Sequence, residues 1–235
     1  MYPFINYAHR GASEYLPENT LLSFYTGIYM GANGIETDIQ RTRDGILVLF
    51  HDSTLTRVTG ESGSVSSYTF EELQRFFVKK ESFADKIVSF EDFLQHFAFR
   101  DITFAIELKG EGVEKDTADL LRRYGMEKKA VVTSFHLDYL QRFRAYAPEF
   151  QIGWLVEEVT PETITTLQAL HAEELCPLAE TLTAEQVASW HNLGLRVRAW
   201  GVKDETIMRH AYNCGVDGMT VNFPDRLTAL LHTAE

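Results

Sequence analysis

The sequence predicts an α/β fold, a single (β/α)8 TIM barrel with a β-hairpin and a small insertion after the second barrel strand. Eight short β-rich runs alternate with amphipathic segments, and this order implies parallel strands joined by right-handed crossovers. Hydrophobic residues make up 45% of the 235 residues, enough for one large core. The length is near the roughly 250 residues of a barrel domain, so residues 1–235 are predicted as one domain.

Each element is predicted from its own pattern along the chain. The apolar, β-rich runs predict barrel strands at about 4–9, 34–40, 103–108, 130–135, 151–156, 174–178, 196–202 and 218–222. Amphipathic periodicity predicts helices at about 19–31, 70–77, 90–98, 115–125, 137–146, 161–171, 183–193 and 204–214. The GxGxxG fingerprint of open dinucleotide-binding sheets is absent, which favours a closed barrel.

A hairpin is predicted between the second barrel strand and the helices that follow. The run 46–51 comes only a few residues after strand 34–40, whereas a parallel crossover needs about a dozen residues or more. The two runs must therefore be antiparallel, and Asp44-Gly45 is a typical two-residue hairpin turn. The segment 54–88 is predicted as an insertion that could cap a site at the barrel mouth.

The turn also predicts the register of the hairpin. A two-residue turn pairs Arg43 with Ile46 and places His51 opposite Asp38. Opposite residues share a face of the ribbon, as do residues two apart on one strand. Glu36, Asp38 and His51 are therefore expected to converge on one face.

Charge and composition exclude several classes of partner. A net charge of −12 and a pI of about 5.1 argue against nucleic acid or an anionic membrane as a constitutive partner. No apolar run is long enough for a membrane span, and Met1–Asn6 does not resemble a signal peptide. Cys176 and Cys214 share no motif and are expected to be free core thiols. The expectation is a cytoplasmic protein without stable membrane insertion, and no feature indicates its oligomeric state.

Three carboxylates are predicted at the barrel mouth, where barrels of this type carry their active-site residues. Glu36 and Asp38 alternate with apolar or β-branched neighbours near the end of the second strand, and Glu107 ends the third. Such carboxylates would repel one another, and a hard divalent cation, Mg²⁺ or Ca²⁺, would resolve that repulsion. The alternative is that these acids form internal salt bridges with nearby cations, namely Arg10, Lys109 or Arg41.

Two histidines are expected beside these acids. His9 ends the first strand, and His51 lies where the hairpin returns to the barrel. Such a pair can deprotonate a nucleophile and protonate a leaving group near pH 7. His136, just after a strand end, is a weaker candidate, and the other histidines fall in helical or terminal segments.

Cations and an aromatic residue complete the candidate site. Arg10 and Lys109 could grip phosphate oxygens, or could merely balance internal charge. Trp200 could form a wall of the pocket or serve in packing. A metal, two histidines and two cations together suit phosphoryl transfer to water or to an internal hydroxyl.

The ordered set of motifs resembles the glycerophosphodiester phosphodiesterase family across nearly the whole chain. The matching segments are His9-Arg10-Gly11, Pro17-Glu18-Asn19-Thr20, Glu36-Thr37-Asp38, Thr42-Arg43-Asp44-Gly45 through His51-Asp52, Leu55-Thr56-Arg57, Glu107-Leu108-Lys109, Ser134-Phe135, and Gly215-Val216-Asp217-Gly218 leading to Asn222-Phe223-Pro224. Each segment alone is a weak signal, but the ordered set is highly specific.

The resemblance implies a barrel with an insertion after the second strand and hydrolysis of a glycerophosphodiester to glycerol 3-phosphate and an alcohol. In the family's usual mechanism, the glycerol 2-hydroxyl attacks phosphorus, and water then opens the cyclic phosphate. The implied roles are acid–base catalysis by His9 and His51, binding of one divalent cation by Glu36, Asp38 and Glu107, and phosphate contact by Arg10 and Lys109.

Some positions depart from the family pattern and leave the preferred alcohol open. Asn222 follows Val221 where the family often has Thr-Asp, and Gly201 and Lys203 replace the threonine and asparagine of a common Trp-Thr-Val-Asn segment. Ile87-Val88-Ser89-Phe90 stands where Ile-Pro-Thr-Leu is common.

Three alternative functions remain open at this level. A lysophospholipase D needs a wide apolar approach, to which phenylalanines of the insertion could contribute: Phe76, Phe77 and Phe83. A metal-dependent lyase would use Lys109 as its base. A non-catalytic binding barrel would be expected to lack one of the histidines or acids, yet each expected position is filled.

Overall fold

Eight parallel strands close into a barrel in the computed structural model, which describes residues 4–233. In chain order the strands are β1 (Ile5–His9), β2 (Gly34–Arg41), β3 (Leu47–Leu49), β4 (Val78–Lys80), β5 (Phe83–Asp85), β6 (Thr103–Leu108), β7 (Ala130–Ser134), β8 (Gln151–Val156), β9 (Glu174–Pro177), β10 (Arg196–Val202) and β11 (Gly218–Val221). Strands β1, β2 and β6 to β11 form the barrel, and the pairings of β1 with both β2 and β11 close it. The predicted TIM barrel is confirmed.

Ten helices cover the barrel and the insertion within the described residues. They are α1 (Leu21–Tyr29), α2 (Thr56–Thr59), α3 (Phe70–Leu73), α4 (Phe90–Phe97), α5 (Glu114–Arg123), α6 (Leu137–Tyr146), α7 (Pro161–Ala169), α8 (Ala184–Asn192), α9 (Glu205–Asn213) and α10 (Pro224–Thr233). Short polar residues cap several helix starts through their side-chain oxygens, among them Thr20, Ser89, Thr183 and Asp204. Helix α10 was not predicted, and α3 is shorter than the predicted 70–77.

Aromatic packing fixes the strands that carry the predicted acids. Phe24 of α1 and Phe93 of α4 meet edge to face at 5.0 Å, and Phe93 meets Phe104 of β6 at 5.9 Å. All three side chains are fully buried, and each such burial stabilises the fold by about 1.5–3 kcal/mol. The same cluster includes Ile35 and Ile39, whose neighbours on β2 point into the barrel.

The register of the hairpin differs from the prediction by one residue. Strand β2 pairs antiparallel with β3, and Ile39 lies opposite Leu49. The N–H of Phe50, and not of His51, donates to the carbonyl of Asp38 at 3.0 Å. The predicted pairing of His51 with Asp38 is therefore wrong.

The shift corresponds to a turn that is one residue longer than predicted. The loop contains three residues, 43–45, because the N–H of Thr42 donates to the carbonyl of Ile46 at 2.9 Å. Gly45 has a φ of 87°, the left-handed conformation that ends a three-residue hairpin loop. The Thr42 hydroxyl also donates to Asp44 at 2.6 Å and accepts from the Ile46 N–H at 2.9 Å, which stabilises this longer loop.

Residues of the segment 54–88 pack around a small core of their own. Val48 and Phe50 of the hairpin region contribute to it, together with Leu55, Val58, Val65, Leu73, Val78 and Ile87. Strands β4 and β5 form a separate antiparallel pair, and Lys80 Nζ donates to the carbonyl of Ser13 in the loop after β1. The segment is thereby anchored beside the C-terminal end of β1.

Candidate active site

The three predicted acids meet at one point inside the barrel mouth. Asp38 of β2 lies beside Glu107 of β6 in the parallel register, and Glu36 is two residues earlier on the same face of β2. One carboxylate oxygen from each lies within 4.8 Å of the others, and all three side chains are buried. Strand register therefore brings together acids that are far apart in sequence.

Burial and mutual repulsion shift the pKa values of these acids. Burial and the nearby carboxylates raise the pKa of Glu36 well above its usual range, and burial together with Asp38 raises the pKa of Glu107 to about 7. Burial opposes ionisation of Asp38 as well, but the Arg10 guanidinium holds its pKa below the ordinary value. Asp38 Oδ1 is buried and has no hydrogen-bond partner among residues 4–233. A cluster of oxygen ligands with an unsatisfied buried oxygen fits a hard divalent cation.

Cations neutralise only part of this cluster. Arg10 Nε lies 3.2 Å from Asp38 Oδ2, and Lys109 Nζ lies 2.8 Å from Glu107 Oε1. Glu36 has no lysine or arginine within ion-pair distance among the described residues, and its ion-pair contact there is with His9, whose Nε2 lies 3.8 Å from Glu36 Oε2. Arg41 pairs instead with Asp116. The salt-bridge alternative thus accounts for two of the acids and not for the third.

A strained turn after β1 directs Arg10 toward the acids. Arg10 has a φ of 55° and Gly11 a φ of 86°, both in the left-handed region. A Cβ on Gly11 would lie 2.5 Å from the backbone carbon of Ser23, so only glycine fits there. The Ser23 hydroxyl donates to the Arg10 carbonyl at 2.8 Å and stabilises the turn.

His9 is held by a neutral partner. Its Nδ1 lies 2.6 Å from Asn222 Oδ1, which leaves Nε2 directed toward Glu36 when Nδ1 carries the proton. Burial and the nearby Arg10 guanidinium lower the pKa of His9 to about 3. In the absence of a bound cation, His9 is therefore a neutral imidazole at pH 7.

His51 is held by a carboxylate. Its Nδ1 lies 2.8 Å from Asp52 Oδ1, and burial lowers the pKa of the imidazole. Arg57 donates to both oxygens of Asp52 at 2.5 and 2.9 Å and to both oxygens of Glu18 at 2.7 Å. Glu18 also accepts from Arg10 at 3.0 Å. A series of ion pairs therefore runs from Asp52, the partner of His51, through Arg57 and Glu18 to Arg10.

These groups open into a cavity of about 470 Å³. Seven of the eight predicted site residues line it: His9, Arg10, Glu36, His51, Glu107, Lys109 and Trp200. The eighth, Asp38, is fully buried beside Glu36 and Glu107. His136 does not line the cavity; its ring lies tilted against that of Tyr139 at the start of α6, with 4.7 Å between the ring centroids.

Sequence reasoning missed several residues of this cavity. Arg198 is buried in β10, where it donates to Glu174 Oε1 and to the Thr220 hydroxyl, each at 2.7 Å. The available signal was an arginine between the apolar residues Val197 and Ala199, inside the strand and not at its end. Asn222, which lines the cavity, and Glu18 and Arg57, which lie outside its lining, stood within quoted motifs, but their sequence positions gave no indication of their partners.

The insertion contributes no phenylalanine to the cavity. Phe76 packs against the small core of the insertion, whereas Phe77 and Phe83 are 41% and 46% exposed and do not line the cavity. The apolar approach that was considered for a lysophospholipase D is therefore not formed by these residues.

The chain matches a known protein family along most of its length. The model of the glycerophosphoryl diester phosphodiesterase family matches residues 9–226. A glycerophosphodiester phosphodiesterase from Bacillus altitudinis is 32% identical over 94% of this chain and 95% of its own. One from Caldanaerobacter subterraneus is 30% identical, with coverage of 95% and 96%.

Solved structures share the fold. A glycerophosphodiester phosphodiesterase from Agrobacterium tumefaciens superposes with a TM-score of 0.82 at 25% identity, covering 95% of this chain and 98% of that one. A phosphodiesterase from Oleispira antarctica, in complex with the product sn-glycerol-3-phosphate, gives a TM-score of 0.85 at 24% identity, with 96% of each chain covered.

Fold and site together define a barrel hydrolase of phosphoric diesters. This chain belongs to the glycerophosphoryl diester phosphodiesterase family. Within residues 4–233, every helix is too short or too polar to cross a bilayer. Cytoplasmic location stays a prediction.

Proposed function

We propose that this enzyme hydrolyses glycerophosphodiesters to glycerol 3-phosphate and an alcohol, with one divalent cation, Mg²⁺ or Ca²⁺, and with His9 and His51 as the acid–base pair. The observation that carries the proposal is the shared cavity, which both histidines line together with Glu36 and Glu107 while Asp38 lies buried beside these acids. The substrate class is supported by the names of the bacterial relatives and by the glycerol 3-phosphate bound in the Oleispira antarctica enzyme.

Glu36, Asp38 and Glu107 are the residues that would hold the cation. When bound there, the cation would polarise the phosphoryl group and offset the developing negative charge. Lys109 and Arg10 line the same cavity and would contact phosphate oxygens once the substrate competes for their carboxylate partners.

The two histidines would move the protons of the reaction. In the first step one imidazole accepts the proton of the glycerol 2-hydroxyl as the hydroxyl oxygen bonds to phosphorus, and the other donates a proton to the leaving alcohol oxygen. In the second step water opens the cyclic phosphate, and the two imidazoles exchange roles. Asn222 and Asp52 would keep each Nδ1 protonated, so that each Nε2 faces the substrate.

Lys109 is poorly suited to the alternative role of a lyase base. Burial favours its neutral form, but Glu107 and Asp38 outweigh that effect and raise its pKa above the ordinary value. An ammonium that stays protonated at neutral pH binds anions and does not abstract protons.

Release of glycerol 3-phosphate from glycerophosphocholine or glycerophosphoethanolamine tests the proposal. We expect EDTA to abolish turnover and either Mg²⁺ or Ca²⁺ to restore it. Folded protein that releases no glycerol 3-phosphate with either ion would refute the proposed reaction. Full turnover in EDTA would refute the metal requirement alone.

A further inference from the structure

The cavity has two chemically different ends. The end over β1, β2 and β6 carries the carboxylates, the histidines and the phosphate-binding cations, and it suits the hydroxyl groups and phosphate of a glycerophosphate. The end over β7, β8 and β10 is formed mainly by apolar and aromatic side chains: Phe135, Leu155, Trp200 and Val202. The part of a diester that extends beyond its phosphate, the alcohol head group, would lie at this second end, which we call the aromatic end.

Local backbone geometry places Trp200 at the aromatic end. The register between β10 and β11 shifts between Ala199 and Val202, and Gly201 within this bulge has a φ of 73°. The indole Nε1 donates to the carbonyl of Val156 at 3.1 Å, which fixes the ring. Gly201 is one of the positions where the chain departs from the common family segment.

Phe135 and Trp200 form an aromatic corner there. Their ring centroids are 4.9 Å apart and their planes are perpendicular. Perpendicular rings present both a face and an edge to a ligand, and an aromatic face attracts a cation through its quadrupole.

The net unpaired charge at the aromatic end is negative. Glu157 follows Val156, lines the cavity, is exposed, and forms no ion pair within 4.0 Å among residues 4–233. Lys203 also lines this end, but its Nζ lies 3.1 Å from Glu180, which offsets its charge. Lys109, whose Nζ lies 5.4 Å from the Phe135 ring centroid, is paired with Glu107.

We infer that the aromatic end binds a cationic amino-alcohol head group, with Glu157 and Trp200 as its specificity-determining residues. This inference rests on the proposed function. The ammonium group would lie against the indole face and close to the Glu157 carboxylate, where the ring quadrupole and the negative charge both attract a cation. A neutral polyol head group carries no charge and gains neither the cation–π attraction nor the ion pair.

The test compares kcat/KM for glycerophosphocholine and for glycerophosphoglycerol, whose head group is neutral. We expect the native enzyme to favour glycerophosphocholine by about tenfold, the size of a partly desolvated cation–π and charge contact. Glu157→Gln should lower this ratio severalfold by reducing only the rate with glycerophosphocholine. Glu158→Gln removes the adjacent exposed charge outside the cavity and should leave the ratio unchanged.

Trp200→Leu provides a second variant, with circular dichroism to verify its fold, and should also lower the ratio. Equal kcat/KM for both diesters, unchanged by Glu157→Gln, would overturn the head-group inference while leaving the proposed hydrolysis intact. An equal loss on both diesters in Glu157→Gln would overturn it as well. Failure to cleave either diester with Mg²⁺ or Ca²⁺ would overturn the proposed function, and the head-group inference with it.

Discussion

Substitution of Glu36 by glutamine should stabilise the metal-free protein while it removes activity. Glu36 is 3% exposed, and one of its oxygens lies within 4.8 Å of ligand oxygens of Asp38 and Glu107. Two ionised carboxylates at that distance repel each other by about 3 kcal/mol at an effective dielectric constant of about 20. Glutamine has the same shape, and its amide oxygen can still accept the Arg10 N–H that now contacts Glu36 at 3.3 Å.

Proton uptake by the cluster relieves part of this repulsion in the native protein, because burial and the neighbouring carboxylates raise the pKa of Glu36. We therefore expect Glu36→Gln to increase the free energy of unfolding in EDTA by about 1–3 kcal/mol. For a chain of this size, each kcal/mol corresponds to roughly 2–4 °C in Tm.

Thermal unfolding in EDTA and in excess Mg²⁺ or Ca²⁺ measures both effects. A cation at one hundred times its Kd stabilises a folded protein by about 2.7 kcal/mol, so the native enzyme should gain several degrees. Glu36→Gln should gain little from the cation and should lose turnover. Glu158→Gln, which removes an exposed charge, should match the native enzyme in both assays.

The opposite sign of the stability change would refute this reasoning. If Glu36→Gln is less stable than the native protein in EDTA, the carboxylate contributes a favourable contact, as the internal salt-bridge alternative requires. A native protein whose Tm is the same in EDTA and in either cation would contradict the metal site itself.

Three further predictions, each made with its own substitutions, test the site and the fold. His9→Ala and His51→Ala should each lose roughly 10²–10⁴-fold in kcat with unchanged circular dichroism, whereas His136→Ala should retain native turnover; near-native rates in either of the first two would exclude the acid–base role. Arg57→Gln weakens the support of the His51 carboxylate partner and should reduce kcat about tenfold with little change in KM, measured by steady-state kinetics. Gly201→Ala would place a Cβ 2.6 Å from Leu178 at a φ of 73° and should destabilise the protein by about 1–3 kcal/mol in urea unfolding; an unchanged midpoint would contradict the bulge geometry.

The positions of the barrel strands and of the acids were predictable because they follow local periodicity. Glu36, Asp38 and Glu107 interrupt apolar strands at positions where a barrel interior normally holds bulky hydrophobic residues. Once the fold class was assigned, the rule that strand ends meet at one mouth was enough to bring these acids together.

The hairpin register was not predictable because tertiary contacts decide it. Asp44-Gly45 is compatible with loops of two or three residues, which differ by one residue in register. The insertion selects the longer loop: the N–H of Arg43 donates to the Tyr68 carbonyl at 2.8 Å, and that of Phe70 donates to Asp44 Oδ1 at 3.0 Å. These partners lie some two dozen residues further along the chain.

The sequence alone determined the barrel, its eight strands and a set of residues that the structure brings to one cavity or directly beside it. Only the tertiary structure decided how these side chains are supported, with Asn222 at His9 and Arg57 between Asp52 and Glu18. It also decided that Glu157 lines the same cavity as the aromatic pair Phe135 and Trp200. Periodicity reports which face a residue occupies, because that depends on local backbone geometry. The partner of a side chain depends on distances across the folded barrel, which local pattern does not encode.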